Sequence, residues 1–566
     1  MFAITLNPGF VCLLAGLLVL AAPRAFRPAT IAGAAMLALW LMLDREFGAA
    51  EAARQMGLPV VLLSLDALNR IFGIAMLIAL IVIGLSSGAR RNRVEDAAIL
   101  ILAGSAVSAL FVGDLVSFVA AASLSGLTAA WLTFCSPARG SAQSGVRLLI
   151  WFGIEGLLFL VGVSFQLSAG AASSIFARLD ANTLGGAFIF AALLFRVGAP
   201  FAHVWLKDAI AHASPVGAGA LAAFSTMLGV YGLARLFPAE PLLLPIGMVM
   251  AAIGAVYAVA EDDLRRAAAS GLTAQTGACV MLIGIGSPLA LAAAEGHAFT
   301  LILAFLALNL ALGAIFGRTG DVRASAVEGL AKSMPISAAL LCLAGLAATG
   351  APSFAAYVTN AIALEAMAQW QSQLGWIALS ALPAALFVAL MLRPALIVYR
   401  ALPGASARNE APFPMLLGVG LAVFFCASIG LAPGWLYGLL PAAPAFQPFE
   451  IGRLAPYAEM LGAVGVAYIL MRALRLTHKE MPLNLLDVDA LYRGPAAGAG
   501  RWLGVVLLRL YGTWRAAWAR VGAYAARVVG RLSRACDRPY RAAPSAAAPL
   551  AAAAISLAIA LLMQSG

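Results

Sequence analysis

The chain has 566 residues, 63% of them hydrophobic and only 11% charged, with a formal net charge of +11. An ordinary soluble domain carries roughly 25% charged residues, so this composition, with a mean hydropathy of +0.96, excludes a soluble enzyme, a disordered chain and a nucleic-acid-binding domain. The solvent such a chain needs is lipid. At roughly 20 apolar residues per span, its length allows about 14 to 16 crossings of an all-α polytopic membrane protein.

In chain order, apolar runs predict spans near 9–22, 29–43, 69–87, 97–112, 115–135, 147–167 and 184–206. Others follow near 215–234, 241–260, 268–287, 297–316, 333–349, 352–370, 374–399, 412–432, 455–472 and 550–563. The first run would direct insertion by itself, without a cleaved signal. When the loops up to residue 333 are assigned alternately to two sides, thirteen Lys and Arg, from Arg24 to Lys332, fall on one side. Four (Arg45, Arg54, Arg178 and Arg235) fall on the other. Cytoplasmic loops carry the cationic excess, which predicts a bacterial inner-membrane protein with a periplasmic N-terminus.

Residues 198–200 and 350–352 both read Gly-Ala-Pro inside apolar helices. Proline removes a backbone donor, so both helices should break near Pro200 and Pro352. Interrupted spans in corresponding halves are a mark of inverted-repeat transporters. The predicted division is 1–95 for N-terminal helices, 96–236 and 237–400 for two repeats, and 401–500 for C-terminal helices. Between Arg501 and Arg541 lie nine Arg and one acid, Asp537, interleaved with Trp502, Trp514, Trp518 and Tyr524. Residues 501–545 therefore read as a basic amphipathic surface helix, held by anionic lipid or a neighbouring subunit, followed by a terminal span in 546–566.

The six Cys are scattered without a C-x-x-C pair, and there are only four His and three Lys. This predicts no metal site, no cofactor and no catalytic residue, with any redox chemistry left to partner subunits.

Six segments then carry a resemblance: Val112–Phe118, Pro200–Ala209, Ala223–Arg235, Ala260–Arg266, Gly296–Phe299 and Leu486–Arg493. In order and spacing they resemble the antiporter-like membrane subunits, which include the D subunit of Mrp-type Na+/H+ antiporters and the proton-pumping membrane subunits of respiratory complex I. The last motif and the tail lean towards the Mrp D-type branch. The resemblance implies two inverted five-helix repeats, other membrane subunits as partners, and Na+ or H+ as the transported ion. It also implies a mid-membrane relay of ionisable residues. At its positions this chain has Ser123 for a Glu, Arg196 for a Lys, Met227 for a Lys, Leu301 and Phe305 for a His and a Lys, and Asn360 for a Lys. Arg stays charged in proteins, so Arg196 reads as a fixed charge rather than a proton carrier.

The ionisable candidates that remain for an ion path are Glu155, Arg196, His203, Asp114, His297 and Glu365. Glu155 lies deep in a span, where an acid must be paired or face a cavity; Arg196 is its natural partner, as an ion gate or as a structural pair. His203 reads as a relay or as a cap for carbonyls freed at Pro200. Asp114 reads as a helix N-cap, and His297 and Gln275 as interhelical hydrogen-bonders. Glu365 belongs to the second half-channel or to the cytoplasmic rim. Lys207 falls outside the span centres, Asp208 reads as a loop or cap residue, and Glu261, Asp262, Asp263, Arg265 and Arg266 read as a solvated loop. Two functions follow: an antiporter-like subunit of a cation/proton-translocating complex, or a non-conducting structural subunit of a respiratory, hydrogenase or inorganic-carbon-uptake complex.

Overall fold

A computed structural model describes residues 6–49, 53–55, 58–89, 92–170, 176–400, 409–442, 446–474 and 497–535. In a bilayer core every backbone N–H and C=O must be satisfied within the chain, and a helix does this inside one segment. Helices α1 (Pro8–Leu18) and α2 (Arg27–Leu43) lead to four short strands that the apolar pattern did not announce. Strands β1 (Gly48–Ala49) and β4 (Ser64–Leu65) form one antiparallel pair, and β2 (Ala53–Gln55) and β3 (Leu58–Val60) another. Helix α3 (Ala67–Ser86) follows, started by a capping box between Asp66 and Asn69.

Two successions of elements then repeat. The first runs α4 (Arg93–Phe111), α5 (Leu115–Phe134), α6 (Ser141–Ser168), the pair α7 (Leu184–Val197) and α8 (Val204–His212), and α9 (Gly217–Leu236). The second runs α10 (Leu243–Ala260), α11 (Leu264–Ile285), α12 (Pro288–Thr319), the pair α13 (Pro335–Thr349) and α14 (Ala355–Gln369), and α15 (Gln373–Leu386). A π-helical segment, Phe387–Leu392, joins α15 to α16 (Arg393–Val398). In each succession the third helix is the longest, 28 residues for α6 and 32 for α12. Then come α17 (Phe413–Leu431), the short α18 (Gly434–Tyr437) and α19 (Ile451–Ala473). Among the described residues, eleven helices are long and apolar enough to cross a membrane, or twelve if one bent pair counts as a span; α1, α2 and α7 are shorter apolar helices.

Both breaks fall at the Gly-Ala-Pro sequences and share one geometry. Gly198 and Gly350 end α7 and α13 with φ of 74° and 75°, and Phe201 and Ser353, three residues on, have φ of 72° and 78°. The amide of Ala199 donates to Leu194 O at 3.0 Å and that of Ala351 to Leu346 O at 3.2 Å.

The interior belongs to α9, α11 and α12, whose apolar stretches are 94–100% buried, against 17% for α19. Glycine permits the closest approach, between α10 and α11. A Cβ on Gly247 would stand 2.5 Å from Gly277 O, and one on Gly254 would stand 2.6 Å from Ala274 N. Small residues at such crossings let helix backbones pack in lipid, where no hydrophobic force drives them together.

Two helices start earlier than the apolar runs predict. Ser287 caps α12 and Pro288 occupies its first turn, so the helix begins nine residues before 297 and takes Glu295 into the interior. Asn92 caps α4, which buries Glu95 and Asp96 in its first turn.

Residues 486–566 form a separate unit. Its described part is one helix, α20 (Ala497–Ala535), of 39 residues. Val506, Leu510, Tyr511, Trp514, Trp518, Val521 and Tyr524 share one face by helical spacing, and Arg509, Arg520 and Arg527 the other. Trp514 lies 5.9 Å from Tyr511 and 6.1 Å from Trp518. The motif Leu486–Arg493, the linker 542–549 and the run 550–563 lie outside the described residues.

Candidate functional site

The first break carries a buried charge pair. Arg196, on the last turn of α7, is 1% exposed, as is Glu155 on α6. Arg196 Nε donates to Glu155 Oε1, and its Nη2 donates to Glu155 Oε2 at 2.8 Å and to Ala122 O on α5 at 2.7 Å. The Phe152 ring lies 5.1 Å beneath the guanidinium. Ser123, where the resemblance expects a carboxylate, neighbours this pair: a Cβ on Gly156 would lie 3.6 Å from its Oγ. The acid thus stands on α6 rather than α5, and still reaches the cation on α7. A guanidinium that grips both carboxylate oxygens and a backbone carbonyl is held in one position.

Beyond the break, Trp205 Nε1 donates to Phe195 O at 3.1 Å, so the indole satisfies a carbonyl of the interrupted helix. His203 heads α8 and its ring stacks on Tyr257, centroids 5.8 Å apart. The same Tyr257 ring receives Lys207 Nζ at 4.5 Å, and Lys207 bonds Glu261 at 3.0 Å. Lys207 is a buried cation, 5% exposed. Two readings are corrected here. Asp208 lies within α8 and takes a two-pronged bond from Arg147, at 2.8 and 2.9 Å. Arg265 is not solvated: it is 1% exposed and donates to the carbonyls of Ala211, Ala213 and Ser214. Each partner lies more than fifty residues away, or on a helix whose rotation the sequence does not give.

Asp114 is fully buried at the start of α5, its Oδ1 accepting from Ser117 N at 2.8 Å and its Oδ2 from Val61 N at 2.8 Å. It fastens the strand segment to the bundle.

The second break carries a neutral chain. Gln275 Nε2 donates to Ala348 O at 3.3 Å, which turns its Oε1 towards His297 Nε2 at 3.1 Å. His297 Nδ1 meets Thr359 Oγ1 at 2.8 Å. The carboxamide orientation requires a proton on Nε2, so Nδ1 accepts from the threonine hydroxyl. Tyr457 on α19 donates to Gly350 O at 2.6 Å. Around this chain the interior is apolar: Met227, Leu301 and Phe305 are fully buried, and Asn360 is 4% exposed with its Nδ2 unpartnered among the described residues. Glu365 lies apart. It bonds Arg453 at 3.3 Å and lines a pocket of about 350 Å³ with Tyr357, Trp376 and Tyr457.

Three further buried groups carry no signal in the apolar pattern. They are Glu95, bonded by Ser214 Oγ at 2.5 Å, Asp96, bonded by Arg27 at 3.4 Å, and Glu295. The caps Asn92 and Ser287-Pro288 were the available signals.

Residues 112–385 match the family described as NADH:quinone oxidoreductase/Mrp antiporter, TM. That stretch holds both breaks and the groups around them. The chain is 28% identical over 334 residues to NADH-quinone oxidoreductase subunit N of Desulforudis audaxviator, 53% of this chain and 64% of that one. It is 33% identical over 168 residues to the chloroplastic NAD(P)H-quinone oxidoreductase subunit 5 of Cryptomeria japonica, 27% of this chain and 23% of that one. A chain of the Mrp complex from Dietzia sp. superposes with a TM-score of 0.70 at 16% identity, covering 81% of this chain and 99% of that one.

Residues 112–385 form a membrane domain of the antiporter-like family.

The match spans less than two thirds of the length of these curated relatives. The structural likeness, at so low an identity, is one of fold. The chain is a multi-span membrane protein, and its structural neighbours are parts of multisubunit membrane complexes.

Proposed function

We propose that this antiporter-like subunit works inside a multisubunit cation/proton-translocating membrane complex of the bacterial inner membrane and contributes no lysine relay of its own. The observation that carries the second half is the triplet Met227, Leu301 and Phe305, fully buried where the resemblance places titrating groups. A proton relay needs groups that gain and lose protons at working pH, and these side chains cannot. The pair Glu155–Arg196 supports the same reading, because a carboxylate held by two guanidinium bonds is a structural charge pair first. Asp114 is a structural cap in this reading. His203, His297 and Glu365 remain the candidate path residues of a rewired route. The branch nearest the D subunit of Mrp-type antiporters, a periplasmic N-terminus, Na+ or H+ as the ion, and anionic lipid along 501–541 belong to the proposal.

The test is proton flux in proteoliposomes carrying the assembled complex, with wild-type chain and Glu155→Gln. Unchanged flux per assembled complex is expected. Abolished flux with assembly intact overturns the structural role of the pair and restores a route through Glu155.

A further inference from the structure

Helix α19 meets the bundle by one face. Its buried residues are Tyr457, Leu461 and Gly465, one per helical turn, and it packs on α15 and on the segment Phe387–Leu392. A Cβ on Gly465 would stand 3.7 Å from the Phe387 ring. Glu459 lies two residues from both Tyr457 and Leu461, about 200° around the helix from each, and is exposed. Ala463, Val466 and Leu470 continue its face by helical spacing, with Val466 58% and Leu470 55% exposed. Beside them, a Cβ on Gly462 would meet no atom within 4 Å. Glu459 is the single charged residue between Arg453 and Arg472. Those two arginines stand roughly 28 Å apart along the axis, close to the thickness of a hydrocarbon core, and Glu459 lies about 9 Å inward of Arg453. Arg453 is engaged elsewhere, with Glu365 at 3.3 Å, Glu450 at 3.1 Å and Gln447 O at 3.1 Å. Among the described residues Glu459 has neither a hydrogen bond nor an ion pair.

We propose that the outer face of α19 docks a transmembrane helix of another subunit, and that this helix carries a Lys or Arg at the depth of Glu459. The proposal rests on the reading above that the chain works inside a multisubunit membrane complex. A carboxyl turned to hydrocarbon is costly unless it is paired, and a cation on a facing helix supplies the pair with charge-assisted hydrogen bonds. Ala455, Gly462 and Ala463 surround Glu459 by helical spacing, and such small side chains let two helix backbones approach closely. The contact then excludes lipid from the ion pair. A second copy of this chain does not fit, because a symmetric contact through this face sets two carboxyls against each other. Residues 550–563 of this chain do not fit either, since they hold no Lys, Arg or His. The pairing selects the partner, because its cation is as costly alone in lipid as Glu459 is.

The experiment is photo-cross-linking of the full-length chain in its own membranes, with p-benzoylphenylalanine placed at Val466 or at Leu470 and the products mapped by peptide mass spectrometry. Both positions should cross-link to a second polypeptide, in an apolar run that holds a Lys or Arg. Glu459→Lys should lower that yield by about tenfold or more, as the loss of one partner of a buried ion pair implies, with the amount of chain in the membrane unchanged. Changing the mapped cation to Glu in the same cells should restore it. Glu459→Gln, which matches a neutral acid in size and charge, should also lower the yield. Cross-links that reach only lipid, residues 546–566 of the same chain, a second copy or a partner helix without a cation overturn the proposal, and so does a yield that Glu459→Lys and Glu459→Gln leave unchanged. In each of these cases co-purifying subunits leave the multisubunit reading intact, whereas a chain that purifies from its membranes without any other subunit overturns both.

Discussion

The two helix breaks are built alike and held differently. At both, a glycine in the left-handed region ends the helix, and the next amide turns back to the carbonyl five residues earlier. At the first, what faces the break is a charge pair, Arg196 with Glu155, tied to Ala122 O. At the second it is the neutral chain of Gln275, His297 and Thr359, with Tyr457 on the carbonyl of Gly350. The same interrupted helix can thus be steadied by charge or by hydrogen bonds alone. The backbone of the break follows from Gly and Pro, and what it can do chemically follows from the neighbours.

Breaking the charged side should cost most. Arg196→Leu leaves Glu155 buried without its counter-ion, and removing one partner of a buried pair typically costs about 3–5 kcal/mol; thermal unfolding of the detergent-solubilised chain should fall accordingly. Replacing both partners with Leu should recover most of that loss. A double variant as unstable as the single one would mean the pair is needed for more than its own neutralisation.

The shared backbone can be tested next. Gly198→Ala and Gly350→Ala each force a Cβ into the left-handed region, at about 1–2 kcal/mol. The second should cost slightly more, because its Cβ would stand 3.0 Å from Tyr457 Oη, against 3.4 Å from the nearest atom of His203 at the first. Costs that differ by several-fold would show that the two breaks are not equivalent.

The smallest effect concerns how the two broken helices start. Thr183 caps α7 from its own chain neighbourhood, whereas α13 has no side-chain cap of its own and takes one from Glu410, which accepts from Ile336 N at 2.9 Å and from Ser337 N at 3.3 Å. Partial burial works against the charged form of Glu410, but the bonds from Ser337, Ala411 and Ile336 outweigh it and hold the carboxyl below its ordinary value. A depressed acid stabilises above its unfolded pKa, about 4.3 for Glu, and that contribution is lost as pH falls through the folded value. Unfolding below about pH 4.3 should therefore ease in the wild type, and Glu410→Gln should flatten that dependence by about 1 kcal/mol or less.

Much of this was legible in the chain itself. The apolar runs announced the bundle, Gly-Ala-Pro announced both breaks, and the depth of Glu155 opposite Arg196 announced their pairing. The aromatic and basic spacing announced the long helix α20. These signals are local: periodicity, a missing amide, a cap. Only the tertiary structure decided the rest. A helix start moved by a few residues carried Glu295 from a loop into the interior, and Lys207 and Arg265 became buried cations because carbonyls and carboxylates from distant helices meet them. The strand pairs before α3 and the reach of Glu410 to α13 have the same origin. Whether a polar residue stands in lipid, in water or on a partner depends on helix rotation and on neighbours fifty or more residues away, and the order of residues along one segment does not encode either.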